Sequence, residues 1–475
     1  MKTKINSKAI LITFMIGAFF AILNETLLNI ALTELMRVFN VDAPTIQWLV
    51  TGFMLVMGVL MPVSALLIQW FTTRQMFIGI MTVFLFGTVI AACAINFSML
   101  LAGRMIQAVG TGLLIPVIMN AFLFIYRPEV RGKIMGTFGL VIMFAPAIGP
   151  TLSGVIVDLV GWRWLFITVI PFAVFSILFA LKFLENVGEV TRPKVDIFSI
   201  ILSTIGIGGV VYGFSSAGED SEGFRSVTII SIILISLISL TMFVWRQLKL
   251  DEPLLDVRVF KYNSFSRGIS LFVIVIMAMF ASEIVMPMYL QGPLGYSAKV
   301  AGLLLLPGAL LNGVMSPIMG TLFDKYGPRK LIIPGTIVLV GVMIFYSNIS
   351  TSIPIWSFIL VYIALMMSIS AIMMPAQTNA LNILPQKLYP HGTAIASTLQ
   401  PIAGALGVSV FVSIMTQSRT NFLEEQSSPI SEQLITEAMT YGVHHAYWFA
   451  LALCVVALLI ALFIKKSIAP DFTQA

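Results

Sequence analysis

The chain has 475 residues, 59% of them hydrophobic and only 10% charged, against roughly 25% charged in an ordinary soluble domain, so its charges are too few to cover a water-facing surface. The net charge of +6 comes from basic residues scattered in short segments between apolar runs, which excludes a nucleic-acid patch and reads instead as membrane topology. Cys93 and Cys454 both lie inside apolar runs; they imply no disulfide framework or metal cluster and are expected to be small buried hydrophobes.

Apolar runs long enough to cross about 30 Å of hydrocarbon recur along the whole chain. They predict an all-α integral membrane protein with 14 transmembrane helices, over 9–34, 46–69, 76–96, 99–125, 133–158, 163–184, 197–216, 226–246, 264–291, 298–323, 330–349, 354–382, 391–416 and 442–464. The first run follows Met1–Lys8 and imitates a secretory signal. It continues past Glu25 without a small-residue cleavage site, so it is expected to stay as an uncleaved helix. An even number of spans puts both termini on one side. Placing them in the cytoplasm sets 21 basic residues inside, five outside (Arg37, Arg163, Arg225, Lys299, Arg419) and Arg104 within a span, a bias that fixes orientation in a multi-pass plasma-membrane protein. The outer loops are acidic instead, notably Glu219, Asp220, Glu222, Glu424, Glu425, Glu432 and Glu437.

Two cytoplasmic linkers, 185–196 and 246–262, bracket two helices whose apolar cores hold no charge. The chain therefore divides into an N-terminal six-helix bundle (1–190), an inserted transmembrane pair (191–250) and a C-terminal six-helix bundle (251–475). Two six-helix repeats are a common plan of secondary transporters. The repeat is visible in the residues. After the second helix comes Ala65-Leu-Leu-Ile-Gln69-Trp-Phe-Thr72-Thr-Arg74-Gln75, and at the same place in the second half comes Gly320-Thr-Leu322-Phe-Asp324-Lys325-Tyr-Gly327-Pro-Arg329-Lys330.

The second of these loops matches the G-x-L-x-D-K/R-x-G-x-R-K loop of the major facilitator superfamily, and the first is a degraded copy, with Gln69 in place of the Asp. Further motifs resemble the fourteen-helix drug:proton antiporters of that superfamily, of the EmrB/QacA type near the lincomycin-resistance branch. Leu23-Asn24-Glu25-Thr26-Leu-Leu-Asn29-Ile-Ala-Leu32 follows their first-helix pattern, with Asn24 where Asp is usual and an acid at the next position, Glu25. Gly103-Arg104-Met-Ile-Gln107-Ala108-Val-Gly110 resembles their fourth-helix motif, and Ala145-Pro146-Ala-Ile-Gly149-Pro150-Thr-Leu-Ser153-Gly154 their fifth-helix antiporter signature. The resemblance implies a cytoplasmic latch at Gly320, Asp324, Lys325, Gly327, Arg329 and Lys330. It also implies an antiporter motif at Pro146, Gly149, Pro150 and Gly154 that suits one bundle to rocking against the other.

Glu25, Arg104 and Glu283 lie well inside apolar spans. A charge near the bilayer centre costs roughly 2.5–3.5 kcal/mol on insertion scales, so such residues usually face a cavity and act in transport. Glu25 and Glu283 sit at matching depth in pseudo-equivalent helices and are the candidate proton-coupling acids, with Arg104 either tuning Glu25 or snorkelling to the outer interface. Hydration and cation contact both change a carboxyl's proton affinity, which couples proton binding to access. Asn24, Asn29, Gln107, Tyr289, Gln291, Gln377, Asn379 and Gln400 are the candidate substrate-cavity groups. Abundant Met and Phe suit a promiscuous apolar cavity, although most of these are expected to face lipid.

His444-His445 lacks Cys or acid partners at ligand spacing, so no metal is expected. Gly206-Ile-Gly208-Gly209 lies inside an apolar run and is no dinucleotide loop, and the chain contains no P-loop. The expected protein is therefore a proton-coupled multidrug efflux antiporter and not an enzyme. It needs no cofactor beyond a proton gradient, and its partners are small amphipathic or cationic drugs, protons and the lipid bilayer. It is expected to bind no nucleic acid and to act as a monomer. A lipid or metabolite exporter on the same fold, or a non-transporting receptor, are the alternatives.

Overall fold

The computed structural model describes residues 7–41, 43–187, 190–191, 193–219, 226–296, 298–425 and 431–466. Among them all regular structure is helical: α1 (Ser7–Phe39), α2 (Ala43–Trp70), α3 (Thr73–Ala92), α4 (Phe97–Ile125), α5 (Pro128–Val160), α6 (Trp164–Ile167), α7 (Ile170–Phe183), α8 (Ile197–Glu219), α9 (Val227–Lys249), α10 (Asn263–Gln291), α11 (Ala298–Tyr326), α12 (Arg329–Tyr346), α13 (Ile355–Asn382), α14 (Tyr389–Glu424) and α15 (Glu432–Leu462). Among the described residues 13 stretches are long and apolar enough to cross a membrane, α6 and α7 together forming one of them. The 33-residue α5 stands beside these as a further long helix.

Local chemistry moves several boundaries away from the hydropathy reading. α15 starts at Glu432, well before the expected 442, because Ser431 caps it by accepting the Leu434 N–H at 3.2 Å. Glu432 and Glu437 therefore lie on a helix and not in a loop. The expected 163–184 helix splits at Pro171, which lacks the N–H to continue α6 and suits the first turn of α7. Thr72, standing where the loop motif has Gly, forms a reciprocal capping box with Gln75 and starts α3. Cys93, expected to be buried, is exposed at the C-cap of α3, whereas Cys454 is buried.

Two large apolar cores form. One is centred on α1–α7 around Phe14, Phe77, Phe122 and Phe138 and runs on to Phe265 of α10, Ala380 of α13 and Tyr389 of α14; the other joins α10–α15 around Phe272, Tyr346 and Tyr447. α8 and α9 make a hairpin knit by small residues, with Gly209 against Ser236 and the Ser239 hydroxyl donating to the Leu202 carbonyl at 2.8 Å. α8 lies across α2 and α14 together. It stacks Tyr212 on Trp48 at 5.8 Å, sets Ile207 and Val211 against Gly58, and accepts the Ser409 hydroxyl at the Phe214 carbonyl. At the hairpin's base Arg246 pairs with Asp196 at 2.7 Å. The guanidinium hydrogen bond is the largest influence holding the Asp196 carboxyl at about 2. The pair contributes above the ordinary carboxylate range and is lost only as pH falls through about 2.

The end of the molecule that carries Arg74, Arg127, Arg131, Lys133, Lys325, Arg329 and Lys330, here the basic end, is where the two halves meet most closely. A Cβ on Gly320 of α11 would collide with the Gly132 carbonyl of α5, one on Gly136 with the Ser316 carbonyl, and one on Gly139 with the Ser316 hydroxyl. Only backbone-on-backbone contact fits there, the usual means of close helix approach in a bilayer. Gly327 takes φ +80° at the end of α11, a conformation that favours glycine, and turns the chain into α12.

Gly320→Val should force α5 and α11 apart at this end, overpacking costing about 1–3 kcal/mol. The alkylation rate of a Ser316→Cys reporter should rise in the Gly320→Val background. An unchanged rate would mean that the seam has room to spare.

Candidate functional site

Arg104 does not snorkel. It is 1% exposed, inside the first core's helices. Its Nη1 donates to Asn24 Oδ1 at 3.1 Å and to Gln107 Oε1 at 3.2 Å, and its guanidinium lies 4.2 Å over the Phe53 ring. Gln107 in turn donates to Thr88 Oγ1 at 2.8 Å. Asn24 is itself 1% exposed and its Nδ2 has no partner. Asn24 and Gln107, expected to line a cavity, therefore belong to a closed polar node that holds a cation with neutral acceptors. Glu25 is partly exposed on the next face of α1, within electrostatic reach of Arg104 but not in an ion pair with it.

α5 supports this node from the side. A Cβ on Gly149 would collide with the Thr26 side chain, and the Ser153 hydroxyl donates to the Leu27 carbonyl at 2.5 Å. Two positions of the motif thus pack on the turn of α1 that follows Glu25. Pro146 and Gly154 are partly exposed on the same helix. The side chains of Pro150 and Asn29 lie outside the described residues.

In the second half Glu283 is exposed, on a stripe of α10 with Ile284, Pro287, Met288 and Gln291, while Ser282, Val285 and Met286 are buried. Tyr362 of α13 lies within electrostatic reach of Glu283. Gln291 folds back onto the Pro287 carbonyl at 3.2 Å, Gln377 is buried and Gln400 is partly exposed. Tyr289 and Asn379, also expected at the cavity, are both buried here. Tyr289 has no accessible surface and stacks on Phe358 at 6.0 Å in the second core. The Asn379 amide donates to the Lys465 carbonyl at 3.1 Å, at the basic end. Polarity alone did not say which helix face each residue takes.

The residues expected to form the latch lie at the basic-end seam. Asp324 Oδ1 accepts the Gly132 N–H at 2.8 Å and Oδ2 the Lys133 N–H at 2.7 Å, so a carboxylate of one half caps the first turns of α5 in the other. Lys325, Arg329 and Lys330 are exposed, with the Lys325 and Lys330 ammonium groups near the Tyr326 ring at 5.2 and 5.5 Å. The degraded copy occupies the mirrored place: Gln69, at the end of α2, lies 3.5 Å from His391 at the start of α14.

Sequence reasoning missed Arg131, counted there only as a positive-inside residue. It is 3% exposed. It donates to Asn382 Oδ1 at 3.0 Å and Tyr389 Oη at 3.2 Å across the seam, and to the Leu123 and Tyr126 carbonyls at 2.5 and 2.9 Å within its own half. The signal that could have found it is the glycine spacing 132-136-139 just after it, which marks a closely packed helix face.

A family model described as Major Facilitator Superfamily matches residues 14–408. Lincomycin resistance protein LmrB of Bacillus subtilis (strain 168) is 48% identical over 457 residues, covering 96% of this chain and 95% of its own. LmrB of Listeria innocua is 47% identical, covering 98% of each chain. Among solved structures, the human organic anion transporter MFSD10 shares the fold at a TM-score of 0.67 with 11% identity, over 96% of this chain and 99% of that one.

Arg131→Met should weaken the closed seam by removing all four hydrogen bonds, raising the alkylation rate of Ser316→Cys about tenfold. Arg131→Lys should not restore it, since an ammonium lacks the planar fork. A wild-type rate in either variant would show that the seam closes without the clamp.

Proposed function

The chain belongs to the major facilitator superfamily, and we propose that it is a proton-coupled multidrug efflux antiporter exporting amphipathic or cationic small molecules by alternating access. The relatives named for lincomycin resistance support the substrate class. On this reading α5 is the fourteenth span, the helices divide six, two and six at about residues 190 and 250, and the basic end is cytoplasmic. The tight basic-end seam then corresponds to the state closed toward the cytoplasm.

One observation carries the proposal: α5 is held at its start by Asp324 of the other half and, further along, by Ser153 on the turn of α1 beside Glu25. A change in the charge of Glu25 alters the fit of α1 against Arg104 and α5, and α5 carries that change to the latch. Glu283, on the accessible stripe of α10, offers a carboxylate to a cationic substrate or a second proton. A carboxyl that is hydrated in one access state and dry in the other binds protons unequally in the two, which is the coupling that exchange requires. One charge moving through 100 mV supplies roughly 2.3 kcal/mol, enough for a gradient of the order of tens-fold.

Glu25→Gln should abolish pH-driven efflux of a fluorescent cationic dye from everted vesicles while the protein stays folded in the membrane, and unchanged efflux would remove Glu25 from the mechanism. Glu283→Gln should lower transport of cationic substrates more than of neutral ones, and equal losses would assign it to the proton instead. Asp324→Asn should slow turnover several-fold with little change in KM, whereas wild-type turnover would reduce the loop to a topology signal.

A further inference from the structure

His391 is a buried titratable group that the mechanism above does not use. It is 7% exposed, in the first turn of α14, and it links three parts of the basic end. Its Nδ1 accepts the Asp256 backbone N–H at 3.2 Å, from the 3-10 turn region that joins α9 to α10. Its Nε2 faces Gln69 of α2 at 3.5 Å. Because Nδ1 acts as an acceptor, a neutral ring carries its proton on Nε2, and the Gln69 Nε2, itself a donor, packs against that side of the ring across the seam without a hydrogen bond.

We propose that His391 is a proton-binding site at the basic end, and that its protonation releases the seam between α2 and α14. A proton on Nδ1 turns that atom into a donor facing a donor, so the Asp256 N–H loses its acceptor in a buried place. The imidazolium is also a charge without water around it. Both effects disfavour the closed seam and favour a state in which α2 and α14 part and water reaches the ring. A proton that binds one state more tightly shifts the equilibrium toward that state. Beside the site, Gln69, Thr73, Asn120, Phe124, Val187 and Pro390 line a cavity of about 30 Å³, room for about one water. Asn120, which lines it, has a buried Oδ1 without a partner.

Of the groups around the ring, the Asp256 carboxylate and the Leu254 backbone favour an imidazolium, and that carboxylate already has a cation. The Asp256 carboxylate is engaged by Arg258, through the backbone N–H at 2.9 Å and the guanidinium at 3.9 Å. Lys387 on the turn before α14 is exposed, Arg267 of α10 donates to the Phe463 carbonyl, and Arg131 of α5 is held by Asn382 and Tyr389. The residues that α2 and α4 present to this cavity, Ile68, Gln69, Val117, Asn120 and Phe124, carry no charge. On the orientation proposed above, cytoplasmic acid would open the cytoplasmic side.

The test uses the full chain in lipid nanodiscs with spin labels on Lys182→Cys and Lys465→Cys, exposed on opposite halves, and with the exposed Cys93 changed to Ser. Glu25→Gln and Glu283→Gln are present throughout, so that pH dependence from the proposed transport acids is absent. No drug or gradient is added, so the result stands apart from the success or failure of the antiport reading. Between pH 8 and 5 the ratio of separated to close label distances should rise with falling pH by up to about tenfold per unit, the limit for one linked proton. His391→Gln should abolish that slope, and Gln69→Ala should raise the separated fraction at every pH while keeping it. A flat profile with His391 present, or an unchanged slope in His391→Gln, would overturn the proposal. If His391→Gln fails to fold, ring-nitrogen NMR of the histidine-labelled protein decides, since the chain has only three His. A His391 ring that stays neutral while the labels separate would equally overturn it.

Discussion

The approach of Gly132 to Gly320 sets how near α5 and α11 can come, and the geometry of the basic end depends on that distance. In a bilayer, lipid tails are as apolar as Leu, so helices gain little from burying apolar surface against each other. Close packing and polar bonds must hold them instead. With no Cβ on either glycine the backbones meet, and Asp324, one turn along α11, reaches two N–H groups in the first turns of α5. Larger residues at either position would separate the helices and leave the carboxylate short of its donors. The contact is strong in geometry yet open to exchange, since Asp324 is partly exposed at the rim and water can take over its hydrogen bonds.

The handling of charge inside the helices follows the same logic. Arg104 and Arg131 are almost fully buried, and both are satisfied by amide, carbonyl and hydroxyl oxygens. Among the described residues the ion pairs are Arg246–Asp196 and Arg258–Asp256, both at connectors. Breaking a buried ion pair by removing one charge is costly, so a residue locked in one is ill-suited to trading partners. Neutral acceptors hold a guanidinium firmly while leaving it able to answer a carboxylate that comes near. The connectors, which anchor the hairpin and the turn into α10, can take the rigid pairs.

Hydropathy made most spans legible, because a helix in lipid must be apolar over its length. The Gly320–Lys330 loop was legible because several unusual residues recur there at fixed spacing. What hydropathy could not show was the face on which a polar residue lies: Tyr289 and Asn379 read as cavity groups, yet one is sealed in a core and the other ties down a neighbouring backbone. Arg131 and His391 stayed hidden for a related reason. A basic residue next to a span is accounted for by topology alone, and only packing reveals that these two are buried between the halves. Cys93 erred the opposite way: an apolar neighbourhood in sequence proved to be the exposed end of a helix.

The places where this chain departs from the family pattern fit together once the contacts are known. A carboxylate at position 24 would pair with Arg104 when ionised and let it go when protonated, so one residue would both bind the proton and hold the cation. Here the two tasks are split. The Asn24 amide keeps its oxygen on Arg104 whatever the pH, and Glu25, one position around α1, is free of that duty. On the proposed mechanism Glu25 can gain or lose a proton without unfastening the polar node, and what changes is the fit of its own face of α1. Ser153, replacing a glycine, supplies what that arrangement needs: a hydroxyl bond to Leu27 that keeps α5 seated on the turn next to Glu25. From Ser153 to Gly132 is about 30 Å of helix at 1.5 Å per residue, so a small tilt at one end becomes a displacement at the other, where the latch sits.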